Sequence, residues 1–345
     1  MTIVVVGAGA IGLLVAGRLA QTGRPTALLA RPAGAAELAR SGIRITQAGQ
    51  TEQITSVAAL GAPEELPAAA RPVELAILCV KGYDTAGAIP ALAALDPQQV
   101  LTLQNGIGNE ELLLKRFEGE RVISGAITTS VEVAGPGQIV VTKAGGIGLA
   151  PVRPGEALSN ASDPLSAAGF PMSHYADYRA MKWSKALLNM LGNATAALLD
   201  MPVQAVYADA GLFALERETL REALRVMERL KIAPIDLPRY RAATLAQAVR
   251  WVPAPILRPL LRRMIAGGRG GKPPSLQLEL ARGNPRSEGE FLYGAIARAA
   301  AGAGLDAPVN RRLWEILSAV ARRETPWETY RGRPEKLIED VTRHA

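Results

Sequence analysis

Three polar side chains stand four residues apart in the stretch Trp183-Ser184-Lys185-Ala186-Leu187-Leu188-Asn189-Met190-Leu191-Gly192-Asn193. On a helix, i, i+4, i+8 spacing lays Lys185, Asn189 and Asn193 along one stripe among Ala, Leu and Met. If that helix packs at a domain interface, the three are buried together, and each costs about 1–3 kcal/mol if unpaired. A polar ligand would offset that cost. An ordinary solvated helix face is the alternative.

A second constellation opens the chain. Gly7-Ala8-Gly9-Ala10-Ile11-Gly12 follows directly on the β-branched run Ile3-Val4-Val5-Val6 and precedes a Leu/Ala-rich helical stretch, Leu13 to Gln21. The spacing suits a dinucleotide. Gly7 permits the tight turn, Gly9 lets the backbone approach a pyrophosphate, and Gly12 lets helix and strand pack closely. Amides at the helix N-terminus then face the phosphates. A ligand-free Gly-rich turn is the alternative. The end of the next strand selects the cofactor. NAD binding wants Asp or Glu there, but the chain has Leu28-Leu29-Ala30-Arg31-Pro32 and no carboxylate before Glu37. Arg31 suits a 2′-phosphate through charge-assisted hydrogen bonds. The expected cofactor is therefore NADP(H), with a solvated surface Arg as the alternative.

Lys81 follows the apolar run Glu74–Val80, and Asn105-Gly106 follows Val100–Leu103. Both sit at carboxyl ends of expected strands, where open α/β sheets bind ligands. Taken alone, Asn-Gly is also a common turn and Lys81 a common loop lysine.

These residues need elements to hold them. Strands are expected at 3–6, 25–30, 74–80, 100–103, 121–127, 138–142 and 146–149, alternating at first with helices. Gly135-Pro136-Gly137 marks a hairpin. Beyond about residue 175, long Ala/Leu/Arg/Glu stretches take over, among them Tyr178–Leu199, Ala208–Leu230 and Asn310–Arg323. The expectation is an α/β N-terminal Rossmann-type doubly wound domain, 1–173, and an all-α C-terminal domain, 174–345. A length of 345 residues fits two domains.

Composition narrows the function. Cys79 is the single cysteine, which excludes a disulfide framework and a cysteine-built zinc site. Only His174 and His344 are histidines, so neither a histidine metal site nor a Ser-His-Asp triad is expected, and no metal is assigned. The formal charge is +7. Much of the surplus is local: between Asp236 and Glu279 there is no acidic residue, but there are Arg239, Arg241, Arg250, Arg258, Arg262, Arg263, Arg269 and Lys272. That segment reads as a solvated basic face or a rim that steers anions. Nucleic-acid or membrane-surface binding is the competing class. No signal peptide or transmembrane run is evident, so the expected compartment is the cytoplasm.

Together, G-A-G-A-I-G, V-K-G-Y-D, L-Q-N-G-I-G-N-E and K-x-x-x-N-x-x-x-N resemble the ketopantoate reductase family over about residues 1–325. The resemblance implies NADPH-dependent reduction of 2-dehydropantoate, a small 2-oxo acid, in pantothenate and coenzyme A biosynthesis. It implies that Lys185 protonates the ketone oxygen and that Asn105, Asn189 and Asn193 face substrate. It also implies that Ser275 contacts the carboxylate, and that Lys81, Asn105 and Glu288 lie by the cofactor with residues 7–12 and Arg31. The chain departs from the family pattern with Glu288-Gly289-Glu290, which leaves Glu290 as a competitor for the glutamate's role, and with Tyr293-Gly294. A reductase of another 2-oxo acid and a non-catalytic NADP(H) sensor are the other readings. A homodimer through the helical half is compatible with them all.

Overall fold

The computed structural model describes residues 2–269 and 273–343; Lys272 and His344 lie outside the described residues. The chain divides into two compact units. One runs as far as Lys182 and includes Leu237–Tyr240; the other comprises Trp183–Asp236 and the chain from Arg241 onward. The division between Lys182 and Trp183 falls within the helix Tyr178–Met190, a little beyond the boundary expected at Ser173.

Among the described residues the first unit holds twelve strands: β1 (Thr2–Val6), β2 (Thr26–Leu29), β3 (Ile43–Gln47), β4 (Gln50–Ile54), β5 (Ala58–Leu60), β6 (Val73–Leu78), β7 (Gln99–Thr102), β8 (Val122–Ile127), β9 (Ser130–Gly135), β10 (Gln138–Lys143), β11 (Ile147–Pro151) and β12 (Met172–His174). Its helices are α1 (Ala10–Ala20), α2 (Pro32–Ser41), α3 (Thr85–Leu95), α4 (Asn109–Leu113), α5 (Ser159–Ala167) and the start of α6 (Tyr178–Met190).

Eight strands form one sheet in the order β12-β11-β8-β7-β6-β1-β2-β5. Neighbours from β5 to β8 are all parallel, while β11 returns antiparallel to β8. Every residue of β1 is buried, as a β-branched run enclosed on both faces of a parallel sheet must be. β1 lies between β2 and β6, so the strand order reverses beside its carboxyl end and leaves the crevice in which α/β sheets take ligands.

The expected hairpin at Gly135-Pro136-Gly137 joins β9 to β10. It does not extend the main sheet. β9 and β10 belong to a separate four-stranded sheet, β4-β3-β10-β9. The β3–β4 hairpin gave little sequence signal because β4 is Gln-Thr-Glu-Gln-Ile and mostly exposed. The strand expected to reach Val80 stops at Leu78.

The second unit is helical, as expected: α7 (Asn193–Leu199), α8 (Val203–Ala208), α9 (Ala210–Arg229), α10 (Ala242–Trp251), α11 (Ala254–Arg269), α12 (Ser275–Ala281), α13 (Tyr293–Gly302), α14 (Pro308–Ala321) and α15 (Pro334–Thr342). α9 starts where the Asp209 carboxylate accepts from Leu212 N at 2.8 Å, an N-cap. It buries Leu212, Leu220, Leu224 and Met227, an apolar stripe at helical period. No helix among the described residues is long and apolar enough to cross a membrane.

A charged pair lies inside the first unit. Lys182 and Glu110 are 3.2 Å apart with side chains 3% and 1% exposed. Lys182 Nζ also donates to the carbonyls of Gln104 at 2.5 Å and Gly125 at 3.4 Å. Ser124 Oγ donates to Glu110 Oε1 at 2.7 Å. These bonds tie the start of α6 to the loop after β7, to α4 and to β8. Lys182→Met leaves Glu110 buried without its cation and is expected to cost about 3–5 kcal/mol in denaturant unfolding. Lys182→Met/Glu110→Gln should recover part of that loss. A single variant as stable as the parent would refute this role.

Candidate active site

The turn after β1 is a close-packed junction. Gly7 has φ +109°, and a Cβ there would lie 2.8 Å from Val80 Cγ1. A Cβ on Gly12 would lie 1.8 Å from Gly7 O, so α1 presses directly on the turn. Gly9 differs. It is exposed, and a Cβ there would meet nothing nearer than Cys79 O at 4.0 Å. The space beside Gly9 is open, with room for a phosphate group to approach the backbone. Ala8, Ala10 and Ile11 are half-buried around it. α1 begins with no side-chain cap on its amides, which suits anion binding at that end. The residues present therefore fit a dinucleotide.

Arg31 is exposed just beyond β2 and precedes Pro32, the first residue of α2. Glu37, the first carboxylate after the strand, is on α2 and pairs with Arg40.

Two strand-end loops carry Lys81 and Asn105, and both residues are exposed. A buried amide network joins the loops. Gln104 Nε2 donates to Val80 O at 2.9 Å and Thr85 Oγ1 at 2.8 Å. Thr85 Oγ1 donates to Asn109 Oδ1 at 3.1 Å, and Asn109 Nδ2 to Asn105 O at 3.0 Å. Gln104, Thr85 and Asn109 are buried, so each bond is strengthened by exclusion of water. The network fixes the backbone of Asn105 and holds the carbonyl just before Lys81. Sequence reasoning passed over Thr85, Gln104, Asn109, Glu110 and Lys182. Gln104, Asn109 and Glu110 stand in the L-Q-N-G-I-G-N-E motif, which was the available signal. Cys79 packs beside the sheet core, and burial pushes its thiol well up, as suits a packing residue.

The stripe on α6 departs from expectation. The helix does not run on to Leu199. It breaks at Leu191-Gly192, with Gly192 left-handed at φ +62°, and Asn193 starts α7. Buried groups hold the break. Glu216 of α9 accepts from Gly192 N at 2.7 Å, from Thr195 Oγ1, and from the Tyr207 hydroxyl at 3.1 Å. The Tyr293 hydroxyl accepts from Ala194 N at 3.0 Å and donates to Met190 O at 2.9 Å. It thus satisfies backbone groups on both sides of the break. The departure Tyr293-Gly294 has a structural reason, which sequence could not supply.

The break changes the part Asn193 plays. Its Nδ2 donates to Asn189 O at 2.9 Å and Ser275 Oγ at 3.4 Å, and its Oδ1 accepts from Leu276 N at 3.3 Å. With only 3% exposure, Asn193 is engaged within the chain and fastens the start of α12 beside α7. The structure thus brings Ser275, which is exposed, to the end of the stripe. Lys185 and Asn189 remain half-buried one turn apart on α6. Of the two glutamates, Glu288 is buried and Glu290 is exposed, with Arg298 4.0 Å away. Glu279 of α12 accepts from Glu288 N at 3.0 Å and so ties that loop to the Ser275 helix.

A doubly wound sheet with a glycine cradle at its switch point, in a chain with a helical second unit, has the form of a dinucleotide-binding protein of two domains. Two family models match: "Ketopantoate reductase PanE/ApbA" over residues 3–154 and "Ketopantoate reductase PanE/ApbA C terminal" over 177–321. The 2-dehydropantoate 2-reductase of Halobacterium salinarum is 30% identical, covering 93% of this chain and 99% of the relative. That of Pyrococcus horikoshii is 29% identical, covering 92% and 97%. Among solved structures, a PanE/ApbA family ketopantoate reductase from Ralstonia eutropha aligns with TM-score 0.79 at 27% identity, covering 94% and 99%. D-mandelate dehydrogenase with NADH and anilino(oxo)acetate shares the fold, with TM-score 0.78 at 21% identity over 94% and 99%. The chain belongs to the ketopantoate reductase PanE/ApbA family, a family of NAD(P)-dependent oxidoreductases.

Tyr293→Phe removes the hydroxyl that bridges the α6–α7 break. It is expected to cost about 1–3 kcal/mol in thermal or denaturant unfolding, since it leaves a buried amide and carbonyl unsatisfied. Unchanged stability would show that the break holds without it.

Proposed function

We propose that this protein reduces 2-dehydropantoate to pantoate, on the route to pantothenate and coenzyme A, with NADPH as the reductant. The observation that carries the reading is the half-buried Lys185–Asn189 pair on α6 in a chain of the ketopantoate reductase family. When bound, the reduced nicotinamide supplies the hydride that adds to C2 of the 2-oxo acid.

The chain's own residues do the rest. The open space at Gly9 and the amides of α1 receive the pyrophosphate. Arg31 takes the 2′-phosphate, with no carboxylate beside it in sequence to favour a 2′-hydroxyl. Lys81 and Asn105, held by the Gln104 network, contact the cofactor, and Asn105 also faces substrate. Lys185 stabilises the charge that grows on the ketone oxygen and donates the proton to it. Asn189 and Ser275 hold the hydroxyl and carboxylate groups of the substrate. Asn193 acts mainly as a positioning residue for Ser275, with its remaining hydrogen-bonding capacity toward substrate. Glu288, the buried one of the two candidates, holds the cofactor ribose or orients Lys185.

The test is NADPH oxidation followed at 340 nm with ketopantoate and a panel of other 2-oxo acids. Saturable turnover of ketopantoate is expected. Turnover of a different acid alone would overturn the substrate assignment, and NADPH binding without any turnover would point to a sensor. Lys185→Ala is expected to lower kcat by about 10²–10⁴-fold while NADPH still binds; near-normal turnover would remove Lys185 from the mechanism. Arg31→Ala should raise KM for NADPH about tenfold or more and leave KM for NADH nearly unchanged. Equal effects on both cofactors would count against the 2′-phosphate contact.

A further inference from the structure

The acid-free segment between Asp236 and Glu279 contributes an unusual surface to the second unit. Among the described residues, the most exposed large hydrophobic side chains include Trp251 at 76%, Leu260 at 57%, Ile256 at 56% and Met264 at 47%. Ile256, Leu260 and Met264 recur at i, i+4 and i+8, which makes one row along α11. Folding does not need this row. A different row, Leu257, Leu261 and Ile265, is buried and anchors the helix, which packs on α8. Trp251 ends α10 just ahead of it, and its indole nitrogen donates to Gln247 Oε1 at 3.1 Å. The polar edge of that ring is thus satisfied while the ring itself stays exposed.

The same helix is strongly basic. Arg258, Arg262 and Arg263 line a cleft of about 400 Å³ between α8 and α11. Tyr207, Ala208, Pro255 and Pro259 complete the lining, so the arginines are its charged groups. An apolar row next to a guanidinium-lined cleft, with a Trp at one end, matches the two layers of a bilayer surface. Aliphatic side chains enter the acyl boundary, Trp sits at headgroup depth, and arginines meet the phosphates.

We propose that α10 and α11 dock this protein onto the surface of an anionic phospholipid bilayer. Charge decides the occupant. A second copy would bring the same basic, acid-free segment face to face with itself, and like charges oppose that contact. A nucleic-acid duplex would satisfy the arginines but offers little apolar surface to Ile256, Leu260 and Met264. An anionic lipid surface satisfies both. Docking is peripheral, because α11 has 16 residues and its other side is buried in the unit.

The test is co-sedimentation of the full chain with vesicles of phosphatidylglycerol in phosphatidylcholine and with vesicles of phosphatidylcholine alone. Binding is expected to the anionic vesicles, falling as salt rises, and to be about tenfold weaker or more without the anionic lipid. Ile256→Glu/Leu260→Glu and Arg262→Ala/Arg263→Ala should each weaken binding about tenfold or more while the circular dichroism melt stays unchanged. Both variants change exposed side chains, so loss of binding with an intact melt isolates the surface. The proposal is overturned if anionic vesicles do not retain the protein or if Ile256→Glu/Leu260→Glu binds as the parent does. It is also overturned if Arg262→Ala/Arg263→Ala binds as the parent does. Retention on a DNA duplex without retention on vesicles would assign the face to nucleic acid. Light scattering that shows a dimer abolished by Ile256→Glu/Leu260→Glu, with no vesicle binding, would assign it to a second copy.

Discussion

An ammonium group enclosed in protein needs anionic and carbonyl partners, and Lys182 has them from three separate elements. Its bonds to Glu110, Gln104 O and Gly125 O bind the start of α6 to the edge of the parallel sheet where the strand-end loops emerge. Desolvating a charge is costly, and such a pair is an advantage only when every remaining lone pair and proton is used. Ser124 takes up Glu110, and Gln104 continues outward to Val80 and Thr85. The loops bearing Lys81 and Asn105 are therefore fixed from beneath by one connected polar network. Rigid support of this kind keeps exposed binding residues in place without burying them.

The second unit solves the corresponding problem at a break. A helix interrupted at Leu191-Gly192 leaves backbone amides and carbonyls that need partners. Glu216 and Tyr293 supply them from α9 and from the first residue of α13. The break then lets Asn193 turn its amide to the start of α12 and bring Ser275 alongside. A continuous helix would carry Asn193 as one more residue of the stripe. The interruption uses it to join two segments far apart in sequence.

These two arrangements suit a reductase of a small 2-oxo acid. Hydride transfer to a ketone needs little from the protein beyond accurate placement, a cation where the oxygen becomes negative, and a proton. In the glycine cradle Gly9 is exposed and Ala8, Ala10 and Ile11 are half-buried, which leaves room for a large polyanionic cofactor. The half-buried Lys185 sits on a helix whose start is fixed in the sheet unit. Supporting groups such as Lys182, Glu110, Glu216 and Tyr293 are buried, and of the candidate contact residues, Lys81, Asn105, Lys185, Asn189 and Ser275 are exposed or half-buried while Asn193 and Glu288 are buried.

The sequence by itself determined the features whose physics is local. A β-branched run followed at once by glycines at fixed spacing specifies strand, turn and helix, because close packing and phosphate approach act over a dozen neighbouring residues. The missing carboxylate at Ala30-Arg31, the helical character of the second half and the membership of Lys185 and Asn189 in one helix were legible for the same reason. Only the tertiary structure decided matters whose partners are distant. Lys182 meets a carbonyl 78 residues away, and Tyr293 meets one 103 residues away. The separate sheet joins strands of weak pattern, β3 and β4, to a later hairpin. The helix break at Gly192 depends on a carboxylate from α9, and the burial of Glu288 but not Glu290 depends on how the surrounding helices pack. Spacing along the chain carries no record of such contacts, because they form only when the fold brings distant polar groups together out of water.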